Sequence, residues 1–303
     1  MTIRLASNKD SEHIFKIWHA CFTDDQAYIM NYLKYCLPHT KTWLLEVENG
    51  EFVSCLSIIP SYFALDSKII RGGYLYAVGT LPEHRGNSYS KLLMESAINE
   101  CRKDGMSYLL VKPATESLFS LYSRASFEKV LYKSTSVFFV KNSETAIDNI
   151  MSLSSDIRSL SSIEASDLYT LRQDSLANTC FLWPEKILEY AIIEALSRSG
   201  SCKKFDISNS ETSRLIYYIA YPAEQNKKSI QVLETNVRNS LEIECLISVI
   251  RSEYPGTEEI EIISSSDFPS KNNKSVSRSA LLLPFDKGHS QYMEKLHLSL
   301  PLE

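Results

Sequence analysis

The stretch from Gly73 to Asp104 constrains the fold of this chain more than any other. Residues 74–81 are aromatic and β-branched with few charges, as in a buried strand, and Pro82 ends that strand because proline cannot donate to a β-ladder. From Leu93 to Cys101 apolar residues recur at helical spacing, and charged residues occupy the other faces. The sequence therefore predicts a strand, a sharp turn and a surface helix packed on a sheet.

The turn between this strand and helix, His84 to Ser90 (HRGNSYS), is the candidate site. Backbone N–H groups at the start of a helix have no partner within the helix, and the helix dipole also favours an anion there. Arg85 adds a permanent positive charge that can meet phosphate oxygens in a forked geometry. A phosphate would fit this turn. Taken alone, however, such a turn favours a plain strand-to-helix connection with a surface arginine.

The segment VGTLPEHRGNSYSKLL resembles motif A of the GNAT (N-acetyltransferase) superfamily. In that motif a strand ending in Val-x-x-x-Pro leads to Arg/Gln-x-x-Gly-x-Gly/Ala and a helix, and the backbone amides hold the pyrophosphate of coenzyme A. Val78, Pro82 and Arg85 match, whereas Ser88 and Ser90 stand at the two glycine positions. We call the turn at residues 85–90 the phosphate cradle. Glycine lets a phosphate approach the backbone closely, so a Cβ at position 88 could weaken binding in the cradle, although serine keeps the N–H and adds a hydroxyl donor.

A second motif follows at the family's spacing. Ser107 to Lys112 (SYLLVK) is a short apolar strand, and PATESLFSLYSRASFEKV comes after it. Superfamily members place here a helix ending in Phe-Tyr-x-x-x-Gly-Phe, whose tyrosine lies beside the thioester sulfur. Tyr122 and Phe127 fit this pattern, and Ser126 stands where glycine is usual. Two linked motifs over about residues 74 to 130 are more specific than either alone.

The resemblance implies an acetyl-CoA site between two splayed strands. The end of the central strand would pair with the acyl-pantetheine arm and polarise the thioester carbonyl. Tyr122 would donate a proton to the departing thiolate. The alternative for Tyr122 is a core residue whose hydroxyl bonds to a backbone acceptor. The implied cofactor-binding residues are Val78, Gly79, Thr80, Arg85, Gly86, Asn87, Ser88, Tyr89, Ser90, Lys91 and Ser117.

Neither a general base nor a metal site can be assigned from the sequence. Histidine is a common general base, but the place of His84 beside Arg85 favours packing of the turn. Seven scattered cysteines without a Cys-x-x-Cys pair indicate reduced core thiols, with disulfides and zinc not expected. The carboxylates plausible as a base by position are Asp24, Asp25, Glu46, Glu48 and Glu83.

Composition limits the class of protein. A net charge of −5 and the absence of a Lys/Arg run argue against a nucleic-acid partner. No charged leader with an apolar segment and no run of membrane-spanning length is present, so we expect a cytoplasmic protein without a membrane partner. The expected partner is an amine acceptor, a small molecule or a peptide, and a homo-oligomer is left open.

At 303 residues the chain is long enough for about two domains. We expect an α/β architecture with mixed sheets: an acyl-CoA N-acyltransferase fold over residues 1–141, a serine-rich linker over 142–158 and a degenerate acyltransferase-like domain over 159–303. In the second half, a strand pair, a helix from Leu241 and another strand echo the first domain. The turn Thr235 to Ser240 lacks the Arg-x-x-Gly arrangement, so this domain is not expected to bind coenzyme A. Residues 264–277 are expected to form a surface loop.

The tandem layout is similar to the branch that includes the mycobacterial enhanced-intracellular-survival acetyltransferases, without their third domain. The resemblance implies an acetyl-CoA-dependent N-acetyltransferase that acts on a primary amine by direct attack in a ternary complex, with no metal. The alternative is a catalytically inactive acyl-CoA-binding or scaffold protein, which the serines at glycine positions favour. A tandem aminoacyl transferase would need a basic groove for tRNA, which the composition does not provide.

Overall fold

The computed structural model describes residues 1–140, 157–208, 213–223, 226–265 and 274–299. Within it the chain forms two compact units, each assembled from segments that are distant in sequence. The predicted linker, residues 142–158, lies outside the described residues up to 156, and a strand begins at Ile157. The first unit comprises Met1–Leu131, Phe181–Tyr190 and Ser279–Leu296, and the second comprises Tyr132–Cys180, Ala191–Arg278 and His297–Glu303.

The first unit contains one sheet in the strand order β1-β2-β3-β4-β5-β12, in which β4 and β5 are parallel and the other neighbours are antiparallel. Its strands are β1 (Thr2–Leu5), β2 (Lys41–Glu46), β3 (Phe52–Leu65), β4 (Lys68–Thr80), β5 (Tyr108–Val111) and β12 (Lys274–Pro284, which belongs to this unit from Ser279 onward). Its helices are α1 (Ser11–Cys21), α2 (Gln26–Asn31, continued by the π-helical turn Tyr32–Cys36), α3 (Tyr89–Lys103), α4 (Glu116–Arg124) and α8 (Lys287–Met293).

The predicted strand–turn–helix is confirmed: β4 ends at Thr80 and α3 follows the turn. The apolar positions of α3 form its buried face, which includes Leu93, Met94, Ala97 and Cys101. These side chains are removed from water against the sheet, and Leu93 and Met94 each contribute about 1.5 to 3 kcal/mol.

The second unit repeats the plan with the order β6-β11-β10-β9-β8-β7, in which β10 and β11 are parallel. Its main core lies between this sheet and α7, with members such as Ile230, Val232, Leu246 and Ile260. Its elements are β6 (Lys129–Phe139), β7 (Ile157–Ser162), α5 (Ala165–Leu176), α6 (Glu185–Ser197), β8 (Ser201–Ser208), β9 (Ser213–Ala223), β10 (Asn226–Thr235), α7 (Ser240–Glu253) and β11 (Glu259–Ser264). β6 belongs to this unit from Tyr132 onward and α6 from Ala191 onward.

Two strands join sheets that chain order does not predict. β6 follows α4 in sequence, yet its residues 134–139 pair with β11 in the second unit. β12 comes late in the chain, and its residues Leu281–Pro284 pair antiparallel with Tyr108–Val111 of β5 in the first unit. Sequence reasoning also missed β7 and β8, and it placed Lys274–Ser277 in a loop although they belong to β12.

None of the described helices is long and apolar enough to cross a bilayer.

Gly72 in β4 makes room for a buried ring, which generates a stability prediction. An added Cβ would lie 2.4 Å from the Tyr108 ring, whose hydroxyl lies 3.1 Å from the Ser61 hydroxyl inside the core. Gly72→Ala should therefore destabilise the protein by about 2 kcal/mol through overpacking. Urea unfolding gives the value.

Gly105→Ala is the control, because Gly105 has a φ of +72° but its added Cβ would meet only an Arg71 nitrogen at 4.0 Å. Its expected loss is about 1 kcal/mol, from backbone strain alone. A loss for Gly72→Ala no larger than that of Gly105→Ala would contradict the packing argument.

Candidate active site

Among the described residues, the C-terminal end of β4 has no strand partner on the side opposite β3. Parallel pairing with β5 covers only Gly73–Leu75 against Leu109–Val111, although β4 continues to Thr80. A β-bulge lies just beyond, where the register with β3 shifts between Cys55 and Ser57, and Ala77 has a φ of +49°. Bulges bend and twist a strand. Parallel pairing therefore stops at this point, because β5 ends at Val111 while β4 continues to Thr80.

Peptide groups beyond the bulge differ in what they can bind. The Leu81 N–H donates to the Val53 carbonyl of β3 at 2.9 Å. In an antiparallel pair the N–H and C=O of one residue point to the same side, and the side alternates from residue to residue. The backbone groups of Gly79 therefore also face β3, whereas those of Val78 and Thr80 face away from it. The backbone N–H and C=O of Val78 and the N–H of Thr80 are thus the groups that could pair with an extended ligand.

Gly79 serves close packing at the same strand end. A Cβ there would lie 3.1 Å from the Cys21 sulfur and 3.3 Å from the Phe22 ring, so glycine lets the end of α1 approach β4. The Cys21 thiol lies 3.1 Å from the Thr80 carbonyl, and the Arg85 Nε donates to the same oxygen at 3.3 Å. Burial raises the pKa of Cys21 despite the guanidinium beside it, which keeps the sulfur a neutral thiol.

The turn after β4 holds a run of backbone N–H groups without acceptors in the described chain. Pro82–His84 form a 3₁₀ turn in which the Arg85 N–H reaches the Pro82 carbonyl at 3.2 Å. From Gly86 to Lys91 the N–H groups meet no described acceptor, and the next bond runs from the Leu92 N–H to the Ser88 carbonyl. These donors lie at the positive end of the α3 dipole, an arrangement that suits an anion.

The serines at glycine positions keep a glycine-like backbone where it is needed. Gly86 has a φ of +86°, and Ser88, the N-cap residue of α3, has a φ of +60° and a ψ of 20° without a side-chain cap bond. A left-handed conformation costs an L-residue about 1 to 2 kcal/mol. Ser90 lies within α3 and needs no such conformation. The departure at Ser88 therefore adds strain but preserves the cradle's shape.

Tyr122 is held by the C-terminal cap of α4. The Ser126 N–H bonds to the Ser123 carbonyl at 3.0 Å and the Phe127 N–H bonds to the Tyr122 carbonyl at 3.1 Å, with Ser126 at a φ of +71°. This is a Schellman motif, in which an apolar residue after the cap packs on the last turn. The Phe127 and Tyr122 ring centroids are accordingly 6.1 Å apart.

The Tyr122 hydroxyl is protonated and unengaged. The residue is 7% exposed, and burial raises its pKa to about 12. No described residue hydrogen-bonds its hydroxyl, so the backbone acceptor expected of a purely structural tyrosine is not among the described groups. Ser117 lies in the first turn of α4, where its hydroxyl is 2.9 Å from that of Thr115.

Two of the carboxylates considered as a general base, Asp24 and Asp25, make hydrogen bonds within the first unit. Asp24 accepts the Trp18 indole N–H at 2.7 Å, and Asp25 caps α2 by accepting the Tyr28 N–H at 2.7 Å. Neither arrangement identifies a base. Asp25 is thereby assigned a structural contact, whereas one Asp24 oxygen is left without a described partner.

His84 belongs to a charged cluster beside the turn. Its Nε2 lies 3.6 Å from Glu51, and Glu51 is paired with Lys16 at 2.8 Å. Among the described residues, Glu51, Glu83 and His84 are the group whose ligand-type atoms lie within 4.8 Å of one another. The Lys16 ammonium already supplies a cation there. Sequence reasoning missed Lys16 and Glu51, which carry no motif.

In the second unit, side chains of the chain itself hydrogen-bond the N–H groups at the start of α7, the helix that corresponds to α3. The Asn239 side chain accepts the Glu242 N–H at 3.0 Å, and Glu242 accepts the Arg238 N–H at 2.5 Å. Arg214 also pairs with the Glu242 carboxylate. A built-in carboxylate thus occupies the place of an external anion at the start of α7.

The comparisons with known proteins agree with this geometry. Residues 2–130 match the family model described as acetyltransferase (GNAT) domain. A probable N-acyltransferase of unknown function from Enterococcus faecalis is similar in fold, with a TM-score of 0.68 and 12% identity over 93% of this chain and 72% of the other. No curated protein sequence matches the chain.

Two further solved structures are similar over almost the whole chain. Eis1 from Mycobacterium abscessus has a TM-score of 0.61 at 12% identity, over 94% of this chain and 74% of the other. A tandem GNAT protein from the clavulanic acid biosynthesis pathway has a TM-score of 0.53 at 12% identity, over 93% and 97%. At these identities the likeness shows the fold, and the predicted tandem acyltransferase architecture is confirmed.

The cap of α4 gives a prediction of unusual sign. Ser126→Gly should stabilise the protein by about 1 kcal/mol, because glycine adopts the left-handed conformation without the Cβ penalty. Ser123→Gly, three residues earlier on the exposed side of the same helix, should instead destabilise it by about 0.5 to 1 kcal/mol. Equal shifts of the same sign in urea unfolding would refute the assigned cap.

Proposed function

We propose, from the GNAT acetyltransferase domain to which residues 2–130 belong, that the protein is an acetyl-CoA-dependent N-acetyltransferase acting on a primary amine. The observation that carries the proposal is the run of N–H donors from Gly86 to Lys91, placed directly after an open strand edge. A nucleotide diphosphate joined to an extended amide-containing arm matches both features. The donors take the diphosphate oxygens, and the strand edge takes the arm.

On this model the arm pairs with β4 as an added strand. The backbone N–H groups of Val78 and Thr80 face the side of β4 on which pairing with β5 ends at Leu75. An N–H there can hydrogen-bond the thioester carbonyl and stabilise the negative charge that develops on its oxygen. Arg85, whose Nε is engaged by Thr80, keeps its terminal nitrogens for phosphate. Ser117 would contribute its hydroxyl to the arm from the start of α4.

The proposed reaction is a direct transfer. The lone pair of a neutral amine attacks the thioester carbon, a tetrahedral intermediate forms, and the carbon–sulfur bond breaks. The Tyr122 phenol donates its proton to the departing sulfur. The attacking nitrogen, which is positively charged in the intermediate, loses a proton to a base that we leave unassigned, and solvent returns a proton to the Tyr122 phenolate. The raised pKa of Tyr122 favours this role, because the phenol stays protonated wherever the amine is neutral enough to attack.

The second candidate function is a non-catalytic acyl-CoA-binding or scaffold protein. The sequence feature that favours this alternative is serine at three positions where the family pattern has glycine: Ser88, Ser90 and Ser126. Ser88 and Ser126 retain positive φ values, so the backbone that glycine provides in the family pattern is present despite the substitutions. The unengaged Tyr122 hydroxyl also favours the catalytic proposal, since a scaffold has no need of it.

Measurement of acetyl-CoA binding tests the proposed role of residues 85–90. The wild-type protein should bind one acetyl-CoA per chain, because Glu242 and Asn239 close the second helix start. Ser88→Val should weaken binding about tenfold or more, since a β-branched residue resists the left-handed conformation, whereas Ser88→Gly should bind at least as tightly. Isothermal titration calorimetry gives affinity and stoichiometry.

The matched control is Ser199→Val, which changes another serine with positive φ in the second unit. It should leave acetyl-CoA binding unchanged, which separates loss of the cradle from loss of stability. Absence of wild-type binding at millimolar acetyl-CoA would remove both candidate functions. Two equivalent sites per chain would contradict the closed second unit.

Turnover tests the catalytic role. Given an acceptor found by thiol release in a panel of a polyamine, an aminoglycoside and a peptide, Tyr122→Phe should lower kcat about 100-fold or more, with acetyl-CoA affinity changed less than about threefold. Tyr292→Phe, at an exposed tyrosine, should change neither value. Because burial raises the pKa of Tyr122 to about 12, the wild-type kcat should not decline below pH 10 from loss of this proton. An unchanged kcat would leave the reaction standing and remove Tyr122 from it.

A further inference from the structure

The second unit contains a buried ionic network that the proposed reaction does not use. Arg172 of α5 and Glu234 of β10 are 1% and 2% exposed, and they form a two-point pair with N–O distances of 2.8 and 3.0 Å. Tyr217 of β9 donates its hydroxyl to the same carboxylate at 2.7 Å. Burying two charges is costly unless every oxygen is well hydrogen-bonded. The network therefore depends on its full set of donors.

The segment 297–299, here called the C-terminal clasp, completes that set. The Ser299 hydroxyl hydrogen-bonds the Glu234 carboxylate, on the oxygen that also takes Arg172. The clasp is anchored by the His297 N–H, which donates to the Thr179 carbonyl at 2.8 Å, and by a parallel bridge between Cys180 and His297. Its three residues are 4%, 1% and 2% exposed. Closure of the clasp thus seals the ion pair from water.

The network lies at the end of β10, at the position that corresponds to the open end of β4 in the first unit. Parallel pairing of β10 with β11 ends at Val232, and the register of β10 against β9 shifts between Val232 and Glu234. Glu234 consequently follows a bulge, as Val78 does in the first unit. The strand end that is open in the first unit is occupied in the second by an ion pair and by the clasp.

His297 is the group on which closure depends. Its Nδ1 is buried and has no hydrogen-bond partner among the described residues, while the backbone of Tyr132 lies within reach of the ring. Adding a proton to Nδ1 would create a buried cation whose new N–H has no hydrogen-bond acceptor among the described residues. The charged groups that face the ring are Glu234, which favours protonation, and Arg172 and Lys133, which oppose it; Cys180 beside it is a neutral thiol whose pKa burial raises.

We propose that residues 297–299 form an acid-sensitive clasp that holds the second unit closed while His297 is neutral and releases when His297 is protonated. Release exposes Ser299 and the Arg172–Glu234 pair to water. The closed clasp occupies the strand end beyond Val232, so opening gives solvent access to a part of the second unit that is sealed at neutral pH.

The direction of the pH effect follows from linkage. Burial lowers the pKa of His297 from 6.5 to about 4, so the released segment binds a proton more readily than the closed one. The contribution of His297 to closure is fully present above pH 6.5 and is lost as the pH falls toward 4. Between pH 8 and pH 5 the closing equilibrium should weaken about 30-fold.

Hydrogen exchange of the whole protein, corrected for intrinsic exchange rates, tests the clasp. Protection of the peptide containing 297–299 should fall about 30-fold from pH 8 to pH 5 in the wild type, and should stay constant in His297→Leu, which cannot titrate. His19→Gln, at an exposed histidine of α1, should behave as the wild type. Ser299→Ala should lower protection by the same factor at both pH values, because it removes one hydrogen bond and leaves His297 to titrate. If His297→Leu fails to fold, the fall in protection from pH 8 to pH 5 in the wild type and in Ser299→Ala still tests the proposal.

Constant protection in the wild type from pH 8 to pH 5, or an equal fall in His297→Leu, would overturn the proposal. The test is independent of the proposed acetyl transfer, because it reads a segment of the second unit. A protein that does not bind acetyl-CoA would fail the functional proposal without affecting the clasp.

Discussion

The bulge at Ala77 is the constraint from which the candidate site follows. Strand edges expose N–H and C=O groups that must find partners, and proteins normally pair or cover them. Here β4 keeps its antiparallel partner β3 through Thr80 but loses its parallel partner after Leu75. The unpaired edge is therefore built into the sheet itself. A ligand that brings its own amide groups can satisfy this edge, which is why we propose that the coenzyme arm binds there.

The two units show how one plan supports opposite outcomes. Each sheet has a parallel pair, a register shift near its end and a helix that follows. In the first unit the helix start is left uncapped, and Ser88 accepts a strained backbone to shape it. In the second unit Glu242 caps the helix start and Glu234 fills the strand end. In the second unit, side-chain carboxylates thus occupy the two positions that the coenzyme's diphosphate and arm are proposed to occupy in the first.

The sequence predicted the features that depend on local periodicity and on two linked motifs. The buried face of α3, the end of β4 near Pro82 and the fold family all follow from residues within about 60 positions of one another. Pairings across the chain were not predictable, since nothing in residues 274–284 names β5 as their partner. The positive φ of Ala77 was also invisible, because alanine rarely adopts it and gives no sign of it. Ser88 and Ser126 could be placed at special positions only because the family pattern marks them.

The exchange of β6 and β12 has a consequence for how the chain acquires its structure. The first unit's sheet lacks its last strand until residues 281–284 are available to pair with β5, and the second unit's sheet begins with a strand made before residue 140. Contacts this distant in sequence carry a large loop-closure cost and slow folding. During synthesis, the N-terminal half cannot finish its sheet as it leaves the ribosome. Until then the edge of β5 is exposed, and chaperones would be expected to bind there while translation continues.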